Sequence, residues 1–500
     1  MMVCKSSLLV VAAVLRASAA QNTSAFDLNA LYGPGLSPGA EIIYSSDSAY
    51  AAAITPRWNL YDVPTYYGAI KPATEADVQH IVKVSVQHNI SFLATGRGHG
   101  STSTLGTLKN GIDIDLGNFR SVSVDNGMLT AGGAVNFSQL FEPVNNAGKM
   151  LPLGNSRCVG LVGATMGGTV GVLQGVLGLG VDYLESVRLV TATGDLIEAS
   201  KTKNADLFWG IRGAGHNFGI ITSATFRLHD LVNDGKLTSM DLMYPGSANK
   251  TIYEALQGYD NNIPNALTLN VIAAYNATSG EGYMVVNVVW FGPEADFAKE
   301  IQPFLAAGPI ANNTKTVQWT NWWTVANFGG YSSPTAPDCV DGQFFNAYAL
   351  DIKKTDPAAM TKVYGDIVAF ARANPGFSGF FGINRYPETV TLQVPNCETA
   401  YGYRDTKALV TIQSSYHPNA TLNDAANKLF RNARSEIQAT SGFDHLAVYV
   451  NFGHGDEGPA VWYSPEKLEN LMRLKRKWDP QERFSFYQPV PLHYPGPAGY

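Results

Sequence analysis

Apolar positions recur at helical spacing in "KPATEADVQHIVKVSVQH" (71–88), where Val78, Ile81, Val82 and Val86 share one face. Thr74 and Asp77 stand where an N-terminal capping box belongs, so the pattern predicts a helix with a defined start. "SFLAT" then reads as a short buried strand, and "GIDIDL" (111–116) alternates Ile112, Ile114 and Leu116 as a half-buried one. In "SVRLVTATGDLIEAS" (186–200) two strand-like runs flank Thr193-Gly194-Asp195, which predicts a hairpin. Strands and helices therefore mix as far as residue 231.

After "RLHDLVNDGK" (227–236) the texture changes. Long strand-like runs, "ALTLNVIAAY", "GYMVVNVVWFG", "KALVTIQSSY" and "HLAVYVNF", alternate with helical stretches near 293–306, 357–373 and 421–438. That order predicts an α+β unit, an antiparallel sheet covered by helices on one face. A last helix follows: Ser464 is placed to cap it, Pro465 takes its first turn, Leu468, Leu471 and Met472 make its stripe, and Asp479-Pro480 stops it.

The run 159–181 carries no charge, and Gly163, Gly167, Gly171 and Gly175 recur at every fourth position, as in packed membrane helices. Yet eight of its 23 residues are glycine, each costing roughly 0.5–1 kcal/mol against alanine in a helix. A glycine-rich loop facing a large ligand accounts for the run better than a membrane span.

Five hundred residues exceed one compact core, so two or more domains are expected. The formal charge of −6 offers no basic face to nucleic acid or an anionic membrane. The first twenty residues read as a secretory signal, with Lys5, an apolar run from Leu8 to Leu15 and a small-residue end at Ser18-Ala19-Ala20. N-x-S/T sequons at Asn22, Asn89, Asn136, Asn249, Asn276, Asn312 and Asn419 suit that route as glycosylation sites. Without the leader, Cys158, Cys339 and Cys397 remain. Cys339 and Cys397 share polar, loop-like surroundings, so they are the expected disulfide, leaving Cys158 as a small thiol that is buried or faces a ligand.

Three segments strip side chains from the backbone: "TGRGHGS" (95–101), "GNSRCVGLVGATMGGTVG" (154–171) and "GIRGAGHNFGIIT" (210–222). Together they offer amide donors to a pyrophosphate. "STSTLGTLKNG" after the first is no helix with a properly spaced acid, so a Rossmann site is disfavoured. There is no HExxH or CxxC, and neither a metal site nor acyl-enzyme chemistry is expected.

The order "RWN…YYGAIKPATEADV", "GRGHG", "GIDIDL", "VGLVGATMGGTVG…GLGVDYLESVRLVTATGDL", "NADLFWGIRGAGHNFGIIT" and "WDPQERFSFYQPVP" resembles the berberine bridge enzyme-like FAD-linked oxidoreductases, with their PCMH or vanillyl-alcohol oxidase-type flavin domain. The resemblance covers most of 40–231 and returns over 445–491. It implies a two-domain α+β fold: an N-terminal segment (21–58), a flavin domain (59–231), a substrate domain (235–450) and a tail (451–500) returning to the flavin domain.

In that family the histidine of the first glycine-rich loop bonds covalently to the flavin methyl group, and here that position is His99. A neutral imidazole is a nucleophile near neutral pH, and flanking glycines admit the ring edge. Relatives that add a cysteinyl bond hold a cysteine where this chain has Ser156, with Cys158 two residues on. A serine is no substitute for a thiolate, so one covalent link to FAD is expected. By the same resemblance Gly96, Arg97, Gly98 and Gly100 would cradle the pyrophosphate. Gly163, Ala164, Gly167 and Gly168 would line the flavin, and Gly219 with Ile220 would lie near the adenosine.

For the catalytic base the candidates are Tyr449 and Asn451, in "YVNF", with His454 and Tyr487. Phe452 takes a position where relatives commonly hold a tyrosine. The other histidines, including His216, read as surface or packing residues. The implied activity is that of a secreted flavoprotein oxidising a C–H next to oxygen or nitrogen, with O2 as acceptor and H2O2 as product. Its substrate would be a small-molecule alcohol or cyclisable intermediate of secondary metabolism. A carbohydrate substrate, or a non-redox cyclase or binding protein on the same scaffold, are the alternatives.

Overall fold

The computed structural model describes residues 26–323 and 339–496. The expected leader, the Asn22 sequon and residues 324–333 of the aromatic stretch 317–333 lie outside them.

A first sheet has the order β1-β2-β4-β3, from β1 (Glu41–Tyr44), β2 (Tyr66–Lys71), β3 (Phe92–Thr95) and β4 (Gly111–Asp115). β4 lies parallel to both β2 and β3. The helix Glu75–Gln87 begins in the expected box, with the Thr74 hydroxyl accepting from Asp77 N–H and Asp77 accepting from Thr74 N–H. Its Val78, Ile81 and Val82 bury against Ile70, Phe92, Ile112 and Ile114. Residues ahead of 59 are no separate appendage, because β1 pairs with β2.

A second, antiparallel sheet has the order β5-β6-β10-β8-β9, from β5 (Val122–Asp125), β6 (Met128–Gly132), β8 (Leu184–Val190), β9 (Leu196–Ser200) and β10 (Ile220–Arg227). β8 and β9 form the expected hairpin. A short ribbon joins β7 (Lys149–Met150) to β11 (His229–Asp230). The tail helix Pro465–Trp478 packs Leu468, Leu471 and Leu474 into this core beside Leu207, Phe208 and Ile211. Ser464 departs from expectation: its φ is +62°, and its hydroxyl is buried and makes no cap bond.

The third sheet is wholly antiparallel, in the order β15-β12-β14-β13-β17-β18-β16. Its strands are β12 (Lys236–Pro245), β13 (Leu267–Asn276), β14 (Glu281–Trp290), β15 (Ala311–Gln318), β16 (Phe345–Ile352), β17 (Ser378–Arg385) and β18 (Ala408–Ser415). Helices Asn249–Gln257, Pro357–Ala373 and Ala420–Gln438 cover one face, where Leu269, Val271, Ile383 and Val410 are buried. The opposite face looks toward the glycine-rich loops.

Other expectations are corrected. "HLAVYVNF" is not a strand: Asp351 N–H donates to Ala447 O and the Asp351 carboxylate accepts Tyr449 N–H, so a side chain replaces a ladder partner. The stretch 293–306 is helical as expected, but in three short pieces, Glu294–Asp296, Phe297–Glu300 and Gln302–Ala306, interrupted at Ile301. The uncharged run holds the short helices Leu161–Gly167 and Gln174–Leu177 and the start of the 3-10 helix Gly180–Tyr183, and no described helix is long and apolar enough to cross a membrane.

The expected Cys339–Cys397 pair is also wrong. Cys158 bonds Cys339, with Cα atoms 5.4 Å apart, and Cys397 is free and exposed. Backbone pairing accounts for the choice. Gly342 and Gln343 donate to Arg57 O and Trp58 O, which carries Cys339 to the edge of the glycine-rich loop that holds Cys158.

Candidate functional site

The three glycine-rich segments and the open face of the third sheet enclose a cavity of about 690 Å3. Gly98 has a φ of +69°, and a Cβ there would stand 2.1 Å from Pro56 O. No other residue fits so tight a loop without displacing backbone. The next residue, His99, lines the cavity with its ring stacked on Trp58, centroids 5.4 Å apart. Burial, then the Arg97 charge, push its pKa down to about 4, so the imidazole is neutral at ordinary pH.

Six buried polar atoms on cavity-lining residues have no partner among the described residues: Arg57 Nε, Arg97 Nε, Ser156 Oγ, His216 Nε2, Asn451 Oδ1 and Ser485 Oγ. Each such atom costs about 1–3 kcal/mol unless a ligand satisfies it. Arg57 and Arg97 form no salt bridge among the described residues, so the wall calls for an anion. A long ligand with a pyrophosphate, hydroxyls and a heteroaromatic ring matches that set, and the residues present fit FAD. Arg57 and Arg97 would face its phosphates, and Ser156, Ser485 and Asn451 its polar edges.

The expected site residues divide. Gly96, Arg97, Gly98, Gly100, Ser156, Gly163, Ala164, Gly219 and Ile220 all line the cavity. Gly167 and Gly168 do not: a Cβ at Gly167 would collide with the Asn451 side chain, and one at Gly168 with Tyr401. Their bareness makes room for the "YVNF" segment instead. Cys158 is held in its disulfide outside the cavity wall.

Among the candidate bases, Tyr449 and Asn451 meet at the wall. The Tyr449 oxygen accepts from Asn451 Nδ2 at 2.7 Å and from Thr169 N–H at 3.2 Å. Burial raises the phenol well above its ordinary range, and these two donors work in the opposite sense. Tyr487 also faces the cavity, its ring 4.2 Å from that of His216. His454 does not reach it: the ring stacks on Tyr348 at 3.9 Å, bonds Ala347 O through Nδ1, and is packed away from the wall.

His216, expected to be a surface or packing residue, is a wall residue. It is buried, and desolvation lowers its pKa to about 4, so it is neutral with Nε2 unpartnered. Its signal was legible in "GAGHNFG", which repeats the glycine-flanked histidine of "GRGHG". Arg57 and Trp58, from "RWN", also line the cavity.

A family profile described as FAD binding domain matches residues 67–200, and one described as berberine and berberine like matches 448–491. The FAD-linked oxidoreductase tazG of Aspergillus terreus is 42% identical over 94% of this chain and 96% of its own. The fold matches that of Physcomitrella patens BBE-like 1, with TM-score 0.79 at 23% identity over 94% of this chain and 100% of that one. It also matches a glucooligosaccharide oxidase of Acremonium strictum described with a 6-S-cysteinyl, 8α-N1-histidyl FAD (TM-score 0.79, 20% identity, 93% and 98% covered). The cavity and its loops are those of a flavin enzyme. This chain belongs to the berberine bridge enzyme-like FAD-linked oxidoreductases.

Proposed function

We propose that the protein oxidises a small-molecule alcohol or amine at the carbon bearing the heteroatom, with Tyr449 as the base. The observation that carries this reading is the Tyr449 oxygen at the cavity wall, held by two N–H donors. Burial keeps the phenol protonated at neutral pH, so Tyr449 acts as base only from the phenolate left when its own proton has passed to solvent, a form that the two donors favour and that grows as pH rises. Asn451 fixes the ring's oxygen by bridging it to Ala164 O at 2.9 Å, so the base is positioned by the glycine-rich segment itself. When bound, FAD supplies a two-electron acceptor: hydride leaves the substrate C–H as the base takes the O–H or N–H proton, and O2 then accepts the electrons to give H2O2.

His99 is the proposed point of covalent attachment, since it is neutral, buried and on a loop cleared of side chains. A single link follows, because Ser156 lacks a thiol and Cys158 is spent in its disulfide. The disulfide, the leader-like first twenty residues and exposed sequons at Asn89, Asn276 and Asn419 support a secreted glycoprotein.

Tyr449→Phe should lower kcat by about 10²–10⁴-fold while FAD content stays unchanged. An unaffected kcat would remove Tyr449 from the mechanism. Wild-type flavin bleached anaerobically by an alcohol should regain its colour in air with one H2O2 per turnover. Reduced enzyme that persisted in oxygen yet reacted at once with a quinone would make the protein a dehydrogenase.

A further inference from the structure

The wall opposite the glycine-rich loops is built mainly from two rows that cross five of the seven strands of the third sheet, β14, β13, β17, β18 and β16. In one, Val285, Ile272, Gly382, Thr411 and Ala349 are successive cross-strand partners. In the next, two positions along each strand, they are Tyr283, Ala274, Phe380, Gln413 and Ala347. Strand side chains alternate between faces, so both rows point the same way, and all ten residues line the cavity.

The middle of this wall is low. Ala274, Gly382, Ala347 and Ala349 contribute a methyl group or less, and taller rings from Tyr283 and Phe380 rise beside them. A Cβ at Gly382 would lie 2.6 Å from Thr411 Oγ1, so the depression depends on that glycine. Polar capacity is limited: Tyr283, Thr411 and Gln413 supply it within the rows, and Ser378 and Asn384, two positions to either side on β17, add to it. Among the described residues no Asp, Glu, Lys or Arg of the third sheet lines the cavity.

From this we infer that the sheet wall takes an uncharged, flat, mainly apolar substrate, an aromatic alcohol with few other polar groups, and rejects both carboxylates and oligosaccharides. The inference rests on the proposed oxidation of a small molecule and narrows its substrate. A carboxylate pressed against Ile272, Val285 and Ala349 would lose water and meet no counter-charge. A sugar chain would bring more hydroxyls than these scattered side chains answer, and the remainder would be buried unpaired against Ile272, Val285 and the alanines. A planar ring loses nothing there, and gains ring contacts with Tyr283 and Phe380.

The test uses FAD-loaded protein and separates binding from oxidation. Calorimetric titration with cinnamyl methyl ether, which has no O–H proton to give up, should show binding about tenfold or more tighter than with cinnamate or cellobiose. Ala349→Leu should weaken the ether by about tenfold with FAD content unchanged, because it fills the depression. Gln413→Glu should bring cinnamylamine up by about tenfold relative to wild type. Cellobiose or cinnamate binding as tightly as the ether would overturn the assignment, as would absence of ether binding at millimolar concentration or indifference to Ala349→Leu. If the ether binds as expected but cinnamyl alcohol leaves the flavin coloured without oxygen, the substrate wall stands and the oxidation reading falls.

Discussion

One wall of the cavity is made of loops and the other of ladders, and they solve opposite problems. The loop wall, made by the three glycine-rich segments together with Arg57, Asn451 and Ser485, carries six buried polar atoms with no partner among the described residues. Folding alone leaves those atoms unsatisfied, so this wall is complete only with its cofactor. The sheet wall is the reverse: every strand is paired over its length, and its inward residues are mostly hydrocarbon. It needs no ligand to be stable, so its residues are free to vary with the substrate. A cofactor wall specifies its ligand by unmet hydrogen bonds, and a substrate wall specifies by shape and by what it refuses to hydrate.

The widest split between the walls should appear at His99. His99→Ala should leave acid-precipitated protein colourless, whereas wild type stays yellow and a digest yields one flavin-bearing peptide spanning His99. Cys158→Ala, despite sitting two residues beyond Ser156, should keep its colour. Ala349→Leu on the other wall should change neither result. A flavinylated peptide containing Cys158 would mean that the disulfide opens in the mature protein.

The two walls also differed in how much of them could be read in advance. The loop wall is local: glycines, His99 and Arg97 lie within a few residues of each other, so "GRGHG" announces both the tight turn and the imidazole in it. The first helix and the β8–β9 hairpin were legible for the same reason. On the sheet wall, alternation in "ALTLNVIAAY" and "KALVTIQSSY" gave the strands but not which face meets the ligand. Ile272 and Thr411 come together only through β17, more than a hundred residues from β13. Long-range choices were likewise hidden. Cys339 pairs with Cys158 because Gln343 lies along Trp58, and nothing near Cys339 in the chain says so. His454 looked like a base in "GHGDE", but Ala347 O and the Tyr348 ring, distant in sequence, claim it.

The disulfide ties the walls together, since Cys158 belongs to a cofactor loop and Cys339 precedes β16 of the sheet. Replacing both cysteines by alanine should cost about 2–4 kcal/mol of stability, chiefly by freeing the unfolded chain across 181 residues. FAD should remain attached, because no cavity-lining atom is removed. Loss of flavin at a temperature where the fold survives would instead show that the tie holds the loop wall in its binding shape.

The smallest effect concerns His216, and it tests whether the loop wall is as dry as its unpartnered atoms imply. Its folded pKa, about 4, lies below the ordinary histidine value because burial disfavours the charged ring. The unfolded chain therefore binds this proton first as pH falls. The contribution of neutral His216 is fully present above about pH 6.5 and is lost on descending toward 4, at about 1.4 kcal/mol per pH unit. His216→Phe keeps a ring against Tyr487 and cannot be protonated, so its stability should fall less steeply across that window in urea melts. The stability gap between wild type and variant should narrow, or change sign, as pH falls from 7 to 4.5. Parallel slopes would mean that His216 takes up its proton in the folded protein as readily as in the unfolded one. Water would then reach Nε2, and that atom would no longer count among those awaiting the cofactor.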